Sequence, residues 1–295
     1  MNIIVKYASL VRFPHTVFAM PFAMVSYVAA MSAWPDVEPF TLPERAPFSW
    51  WLLLKIVLCM VLARNAAMSF NRIADRDIDA RNPRTREREI PSGKLSVRAA
   101  GWFCAVNCLL FVAAAASVNR LALCLSPVAL LVLLGYSYTK RITSWSHLVL
   151  GFALAIAPIG AWIAVRGGVA IFPLVMAGVV LTWVGGFDII YSLQDREFDK
   201  REGLRSVPAR FSVCGSLAIS IALHVVSALG VTLLGRMWLH GTLYTVGATI
   251  FVAMLVVQHV MVTPRRLESI PAAFATVNGV ASMVYSLLAI LSLTT

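Results

Sequence analysis

Nine long apolar segments, separated by short polar connections, run along the chain. Each is about 18 residues or longer, the length that an α-helix needs to cross the hydrocarbon core of a bilayer. The segments are continuous and lack the strict alternation of membrane β-barrel strands. The pattern predicts an all-α polytopic membrane protein, built as a bundle of nine transmembrane helices. The predicted spans are residues 13–34, 49–72, 96–117, 121–138, 145–165, 169–194, 211–235, 238–262 and 271–293.

The composition agrees with a membrane location, since 59% of the 295 residues are hydrophobic and the mean hydropathy is +0.80. The first apolar segment is long enough to span and has no small-residue cleavage site after it, so we expect a span rather than a signal peptide. The five cysteines are scattered through apolar segments, and we expect them to pack as small core residues. No linker or change of composition interrupts the chain, which predicts one domain over residues 1–295.

The charge of the connections predicts the orientation in the membrane. With the N-terminus placed in the cytoplasm, nineteen of the 25 Lys and Arg residues fall on the cytoplasmic side and four on the opposite side. An excess of Lys and Arg is typical of the cytoplasmic loops of membrane proteins. It accounts for the net charge of +11, so we expect a lipid bilayer and no nucleic acid as a partner; no protein partner is evident.

A short acidic pattern occurs twice, at the cytoplasmic ends of the second and sixth predicted spans. A shift of 120 residues places Asp75 on Asp195 and Asp79 on Asp199. Residues four apart share a helix face, so Asn71 joins the first pair in one stripe, and the second pair forms another. One such run would be typical of a solvated salt-bridge cluster, whereas two matched copies on one side of the membrane favour a functional site.

The residue types in these stripes favour magnesium and a diphosphate. Carboxylate and amide oxygens without His or Cys suit a hard cation, and Mg²⁺ prefers one or two carboxylates together with substrate phosphate. Basic residues follow each stripe and suit a diphosphate through charge-assisted hydrogen bonds. Asp77 and Glu197 lie on other helix faces and are expected to face water or an arginine. The predicted magnesium ligands are Asn71, Asp75, Asp79, Asp195 and Asp199, and the basic residues are Arg76, Arg81, Arg84, Arg86, Arg88, Lys200, Arg201, Arg205 and Arg210.

With the two aspartate stripes, further segments resemble the UbiA superfamily of intramembrane aromatic prenyltransferases over nearly the whole chain. Pro91-Ser92-Gly93 after Arg88 is similar to its R-x-x-P-S-G segment, and Tyr136-x3-Lys140-Arg141 is similar to its Y-x3-K-R element. The chain departs from many members where it has Arg72 in place of an aspartate, which removes one possible metal-side carboxylate.

The resemblance implies nine transmembrane helices around an apolar central cavity and transfer of a polyprenyl group from its diphosphate to an aromatic acceptor. Arg64 and Arg141 match family positions associated with the carboxylate of a hydroxybenzoate-type acceptor, an anion that guanidinium groups bind well. Lys140 belongs to the Y-x3-K-R element. Tyr136 either lines the cavity through cation–π contact or anchors the chain at the membrane interface.

Two charged residues, Arg64 and Asp188, lie inside predicted spans and are candidates for functional roles. Arg64 lies two helical turns before Asn71, and a lone arginine in a span is a functional candidate. Asp188 lies at the mirrored position, seven residues before Asp195. It either accepts the proton of the acceptor's ring hydroxyl or neutralises Arg64.

The most favoured function is Mg²⁺-dependent prenylation of 4-hydroxybenzoate in ubiquinone biosynthesis, at a site that opens to the cytoplasm, in a bacterial inner membrane. Prenylation of a naphthoate-type acid on the futalosine route to menaquinone would use the same arginines. A transporter with acidic cytoplasmic sites predicts more polar residues in mid-membrane than this chain has. A CDP-alcohol phosphotransferase would place its aspartates in one Gly-containing motif.

Overall fold

The structure, a computed structural model, describes Tyr7, Leu10, residues 19–32 and residues 45–295. All regular structure in these residues is helical. Eight helical stretches are long and apolar enough to cross a membrane, and Met20–Met31 is a shorter apolar helix. The nine principal helices are α1 Met20–Met31, α2 Trp50–Ala74, α3 Val97–Val118, α4 Arg120–Gly135, α5 Ser146–Arg166, α6 Ile171–Ser192, α7 Val213–Met237, α8 Thr242–Met261 and α9 Asn278–Thr294.

These helices confirm the predicted all-α architecture and are consistent with nine spans. The first predicted span, 13–34, lies partly outside the described residues, because 13–18 and 33–34 are not among them. The remaining predicted boundaries fall within a few residues of the observed ones. For the last span, 271–293, the helical stretch runs from Leu267 to Thr294 and includes short 3-10, α and π segments before α9. The apolar central cavity and the single domain stay predictions.

Several helix starts follow from short polar side chains just before an apolar run. Ser96 accepts a hydrogen bond from the Ala99 N–H at the start of α3, and Ser212 does so from Gly215 at the start of α7. Each cap satisfies a backbone donor that has no partner inside the helix. At the other end of α5, Gly167 adopts φ 67°, a left-handed conformation that closes the helix.

The chain divides into two compact units, residues 1–17 with 51–139 and residues 18–50 with 140–295. Within the first unit, α3 packs against α4. The Asn65 side-chain amide of α2 donates to Asn107 Oδ1 of α3 at 3.1 Å. Interhelical hydrogen bonds of this kind join polar side chains that lipid would leave unsatisfied.

The second unit is centred on α6, which packs against both α5 and α7. Trp183 of α6 is fully buried and contacts the rings of Phe22 and Phe251, while its indole N–H donates to Asn278 Oδ1 at 3.2 Å. The indole therefore buries a large apolar surface and still satisfies its one donor.

A glycine brings α5 against α6 in this unit. Gly151 lies so close to the Leu181 carbonyl that an added Cβ would overlap it. Small residues at such crossings let helix backbones approach within van der Waals contact, the main source of helix association in lipid. The outward faces instead carry exposed leucines, valines and tryptophans, as expected for side chains that face lipid.

Candidate active site

The two acidic motifs share a backbone conformation as well as a sequence. Asp75 follows α2 with φ −96° and ψ 7°, and Asp195 follows α6 with φ −100° and ψ 3°. Each begins a six-residue helix, Arg76–Arg81 in the first unit and Arg196–Arg201 in the second. The break places one aspartate at the end of the span and the next one turn further on, so each copy presents two carboxylates.

In the first unit, Asn71 holds Asp75 directly. Its side-chain amide donates to Asp75 Oδ2 at 2.9 Å. Because the amide nitrogen is used in this contact, only the Asn71 Oδ1 atom suits a cation. Asn71 thus orients the first carboxylate.

The second carboxylate of this motif is bound by an arginine from the following loop. Arg88 NH1 lies 2.7 Å from Asp79 Oδ1 and 2.8 Å from Oδ2. The Asp79 side chain is buried, and Thr85 Oγ1 donates to its backbone carbonyl at 3.1 Å. Arg88 and Thr85 therefore fold the loop back over the motif.

Arg64 is the other notable cation of this unit. Its Nε atom is buried and has no hydrogen-bond partner among the described residues, and Tyr136 lies within electrostatic range. A partnerless guanidinium donor inside an apolar helix is costly, which favours an anionic ligand. Arg76 and Arg84 are exposed; Arg76 pairs with Asp77 at 3.5 Å, as predicted for that carboxylate.

In the second unit, both motif carboxylates are buried. Ser206 Oγ donates to Asp199 Oδ2 at 2.8 Å and accepts from the Ala209 N–H, so one hydroxyl caps a helix and binds a carboxylate. The charges of Lys140 and Asp195 act on Asp199. Glu197 is 74% exposed and pairs with Arg196, as its helix face predicted.

The interior carboxylate of this unit has a histidine as its partner. His147 Nδ1 lies 2.7 Å from Asp188 Oδ2, and His147 Nε2 accepts from the Val207 N–H at 3.3 Å. His147 is fully buried, whereas 19% of the Asp188 side chain is exposed. The sequence had offered Arg64 as the partner of Asp188.

Most of the remaining predicted basic residues of the second unit lie on two short helices, Thr139–Ile142 and Arg196–Arg201, and Arg205 follows the second of them. The Lys140 carbonyl accepts from the Arg205 N–H at 2.7 Å, and the Arg205 guanidinium donates to the Ile142 carbonyl. Lys200 lines a polar pocket of about 460 Å³ together with Arg205 and Ser206. Lys200, Arg201 and Arg141 are exposed, so their ammonium and guanidinium groups are accessible to a soluble anion.

The donor chemistry of each motif fits magnesium. Among the described residues, no group of three or more His, Cys, Asp and Glu side chains lies close enough to hold a metal ion. Each motif instead offers two carboxylates, the number that Mg²⁺ takes beside substrate phosphate.

Sequence reasoning missed His147 and Ser206. His147 had no partner at helical spacing, because Asp188 lies on another long helix and Val207 begins the short helix Val207–Arg210, 60 residues further along the chain. A weak signal was its position at the start of an apolar helix, directly after the Tyr136-to-Arg141 element.

Comparison with known proteins identifies the family to which this sequence is similar. The model of the UbiA prenyltransferase family matches residues 19–287. The 4-hydroxybenzoate octaprenyltransferase of Polaromonas sp. is 32% identical over 185 residues, which span 62% of this chain and 65% of that relative's length. The 4-hydroxybenzoate octaprenyltransferase of Vibrio parahaemolyticus is 29% identical over 254 residues, 85% of this chain and 88% of that relative.

Solved structures show the same fold. An apo UbiA homologue from Aeropyrum pernix K1 has a TM-score of 0.78 and 28% identity, and the match covers 95% of this chain and 97% of that one. A UbiA homologue from Archaeoglobus fulgidus, bound to GPP and Mg²⁺, has a TM-score of 0.73 and 19% identity, with 98% and 100% covered.

The fold, the paired aspartate motifs and these relatives define an integral membrane prenyltransferase. The chain belongs to the UbiA prenyltransferase family. This membership disfavours the transporter and the CDP-alcohol phosphotransferase.

Proposed function

We propose that the protein transfers a polyprenyl group from polyprenyl diphosphate to 4-hydroxybenzoate, as a step of ubiquinone biosynthesis. The relatives named above carry the 4-hydroxybenzoate octaprenyltransferase activity in their names. The observation that carries the choice of an acidic acceptor is the buried Arg64 Nε within α2, which has no hydrogen-bond partner in the part of the chain that the structure describes. A carboxylate supplies the acceptor oxygens that this guanidinium needs.

Mg²⁺ is the proposed cofactor, with Asp75 and Asp79 as ligands from the first motif and Asp195 and Asp199 from the second. Asn71 Oδ1 is a further candidate ligand. When bound, Mg²⁺ neutralises negative charge on the leaving diphosphate, which eases cleavage of the C–O bond. The carboxylate-rich donor set and the binding of GPP and Mg²⁺ by the Archaeoglobus fulgidus homologue support this proposal.

The basic residues near the motifs are proposed to bind the diphosphate. Charge-assisted hydrogen bonds to phosphate oxygens position the donor and stabilise the charge that builds up on them. In this proposal Arg88 releases part of its contact with Asp79 when the diphosphate enters. The proposed diphosphate-binding residues are Arg76, Arg84, Arg88, Lys140, Lys200 and Arg201.

The acceptor is proposed to bind deeper in the helices. Arg64 and Arg141 bind its carboxylate, Tyr136 lies beside Arg64, and Asp188 accepts a hydrogen bond from its ring hydroxyl. A hydroxyl that donates to a carboxylate makes the ring more electron-rich, so a ring carbon attacks the allylic carbon more readily as the C–O bond to the diphosphate breaks. The attacked ring carbon then loses its proton, which restores the aromatic ring. The surrounding apolar side chains exclude the water that would otherwise capture the allylic cation.

A naphthoate-type acid is the second candidate acceptor, because it presents the same carboxylate to the same arginines. We place the protein in a bacterial inner membrane with the motifs on the cytoplasmic side, supported by the charge of the connections.

The test is a turnover assay on membranes that contain the full chain, with a polyprenyl diphosphate, Mg²⁺ and either 4-hydroxybenzoate or a dihydroxynaphthoate. We expect prenylated 4-hydroxybenzoate by mass spectrometry, its loss with EDTA and its return with added Mg²⁺. Product from the naphthoate alone would move the pathway to menaquinone. Chelator-resistant turnover would rule out the magnesium chemistry.

Matched variants sharpen this assay. Asp75→Ala and Asp195→Ala are expected to abolish turnover. Asp77→Ala and Glu197→Ala, which remove exposed carboxylates from the same short helices, are expected to keep it. Equal loss in both pairs would mean that the motifs need their net charge rather than two particular ligands.

A further inference from the structure

His147 links two of the three functional carboxylates of the second unit, Asp188 and Asp199. One ring nitrogen contacts Asp188, and the other contacts the backbone of Val207. The residue before Val207 is Ser206, whose hydroxyl donates to Asp199. The buried His147 side chain therefore holds Asp188 directly. It also holds the Ser206–Val207 peptide, and Ser206 in turn binds Asp199.

The hydrogen bonds assign the donor and acceptor roles of the two ring nitrogens. The Val207 N–H can only donate, so His147 Nε2 accepts and carries no proton. In the neutral ring the proton is then on Nδ1, which donates it to Asp188 Oδ2 at 2.7 Å. The side chain is fully buried with both nitrogens satisfied, so its ring is held in one orientation.

The carboxylate that His147 holds is only partly satisfied. Asp188 lies between the buried residues Phe187 and Ile189 of an apolar helix, where an ionised side chain is expensive. Its Oδ2 is taken by His147, while Oδ1 has no hydrogen-bond partner among the described residues. One oxygen is therefore fixed, and the other is left for a ligand.

We propose that His147 is a positioning residue, which orients Asp188 toward the hydroxyl of the aromatic acceptor and holds the Ser206–Val207 peptide that supports Asp199. The inference rests on the proposed function for the role of Asp188. The contact between His147 and Asp188 is also tested by melting temperatures, which require no turnover.

Three substitutions separate the two contacts of His147. His147→Asn keeps a donor near the Nδ1 position, His147→Gln keeps an acceptor near the Nε2 position, and His147→Phe keeps neither. In the Asn variant, which loses only the Val207 contact, we expect a higher Mg²⁺ requirement, because Asp199 is less well supported. At saturating Mg²⁺ we expect its kcat for 4-hydroxybenzoate to stay within about threefold of wild type. In the Gln and Phe variants we expect it to be about 10- to 100-fold lower, the usual effect of removing a residue that orients a functional side chain.

A purely structural role predicts a different pattern. Equal loss of kcat in the Asn and Gln variants, or normal kcat in the Phe variant, would overturn the proposal. His224→Asn is the matched control: it replaces another buried histidine of this unit, whose ring contacts His259 and the Trp183 carbonyl. It is expected to lower the melting temperature without changing kcat by more than about threefold.

A double-mutant cycle keeps the test independent of the reaction. The melting temperatures of His147→Phe, Asp188→Ala and the double variant are measured in the full-length protein in detergent. We expect the double variant to melt near the lower of the two single variants, because each single substitution already removes the same contact between His147 and Asp188. Additive losses would overturn the His147–Asp188 contact, whereas failure of the wild type to prenylate 4-hydroxybenzoate would overturn the proposed function alone.

Discussion

Equivalent aspartates in the two motifs are held by different donors. Asp79 is bound through both oxygens by the Arg88 guanidinium, whereas Asp199 receives one hydrogen bond from the Ser206 hydroxyl. The Asp79 carboxylate is therefore paired with a positive charge before any ligand binds, whereas the Asp199 carboxylate has a neutral hydroxyl as its donor. The two copies are alike in backbone but differ in the charge that a ligand meets.

Arg88→Ala tests the charged contact. Removal of the guanidinium leaves the buried Asp79 carboxylate without its donor, so we expect a loss of about 3 kcal/mol of stability together with loss of turnover. The measurement is thermal and chemical unfolding in detergent beside the prenylation assay. Arg86→Ala, which removes an exposed arginine 3.8 Å from Glu87, is the control and should change neither. Unchanged stability in Arg88→Ala would mean that Asp79 finds another donor.

Arg64→Ala tests the acceptor site. If Arg64 binds the carboxylate of the acceptor, its loss should raise KM for 4-hydroxybenzoate about 10-fold or more and leave KM for the prenyl diphosphate nearly unchanged, since a charged hydrogen bond contributes about 1.5–3 kcal/mol. Steady-state kinetics with each substrate varied in turn measures both. The reverse pattern would assign Arg64 to the diphosphate.

At the scale of elements, the helix breaks decide where the chemistry lies. The 120-residue repeat predicted paired aspartates after two apolar helices, and the structure has this order, with Asp75 after α2 and Asp195 after α6. The side of the membrane on which the motifs lie stays a prediction. The structure adds that Asp75 and Asp195 occupy the breaks themselves, with nearly equal backbone angles. Spacing along an uninterrupted helix did not predict this conformation, because four-residue spacing assumes helical backbone angles at every residue, and Asp75 and Asp195 depart from them.

Gly151→Ala tests the close crossing of α5 and α6. The added methyl group meets the Leu181 carbonyl, which belongs to a helix backbone and cannot move aside cheaply, so we expect a loss of about 2 kcal/mol. Gly160→Ala on the same helix meets no atom within 4 Å and should leave stability unchanged or raise it slightly. Melting temperatures of the two variants provide the comparison. Equal effects would show that α5 and α6 have room to separate.

At the scale of the whole molecule, the charge asymmetry predicts the orientation. Glu87→Cys, in the exposed loop after the first motif, should react with a membrane-impermeant thiol reagent only from the cytoplasmic side. His240→Cys, in the connection after α7, should react only from the opposite side. Contrary to the expectation that all five cysteines pack in the core, Cys124 and Cys214 are exposed, so the background is a variant without them. Labelling of both positions from the same side would contradict the predicted topology.

The sequence by itself determined the helical class, the approximate spans, the expected orientation and the two aspartate motifs. These properties depend on the local hydropathy and charge of each segment and on the spacing of residues along a helix, and both can be read directly from the sequence. Family membership, too, followed from motifs whose order along the chain is readable. The predicted metal and substrate ligands stay predictions, since their roles depend on bound groups.

Only the tertiary structure decided which side chains meet. The Asp188–His147 pair, the Ser206 contact with Asp199 and the Arg88 contact with Asp79 join residues that are 7 to 41 positions apart. The physical reason is that buried polar groups take whatever donors the packing brings to them, and packing is set by features such as Gly151 rather than by spacing. Sequence patterns located the carboxylates, and the fold supplied their partners.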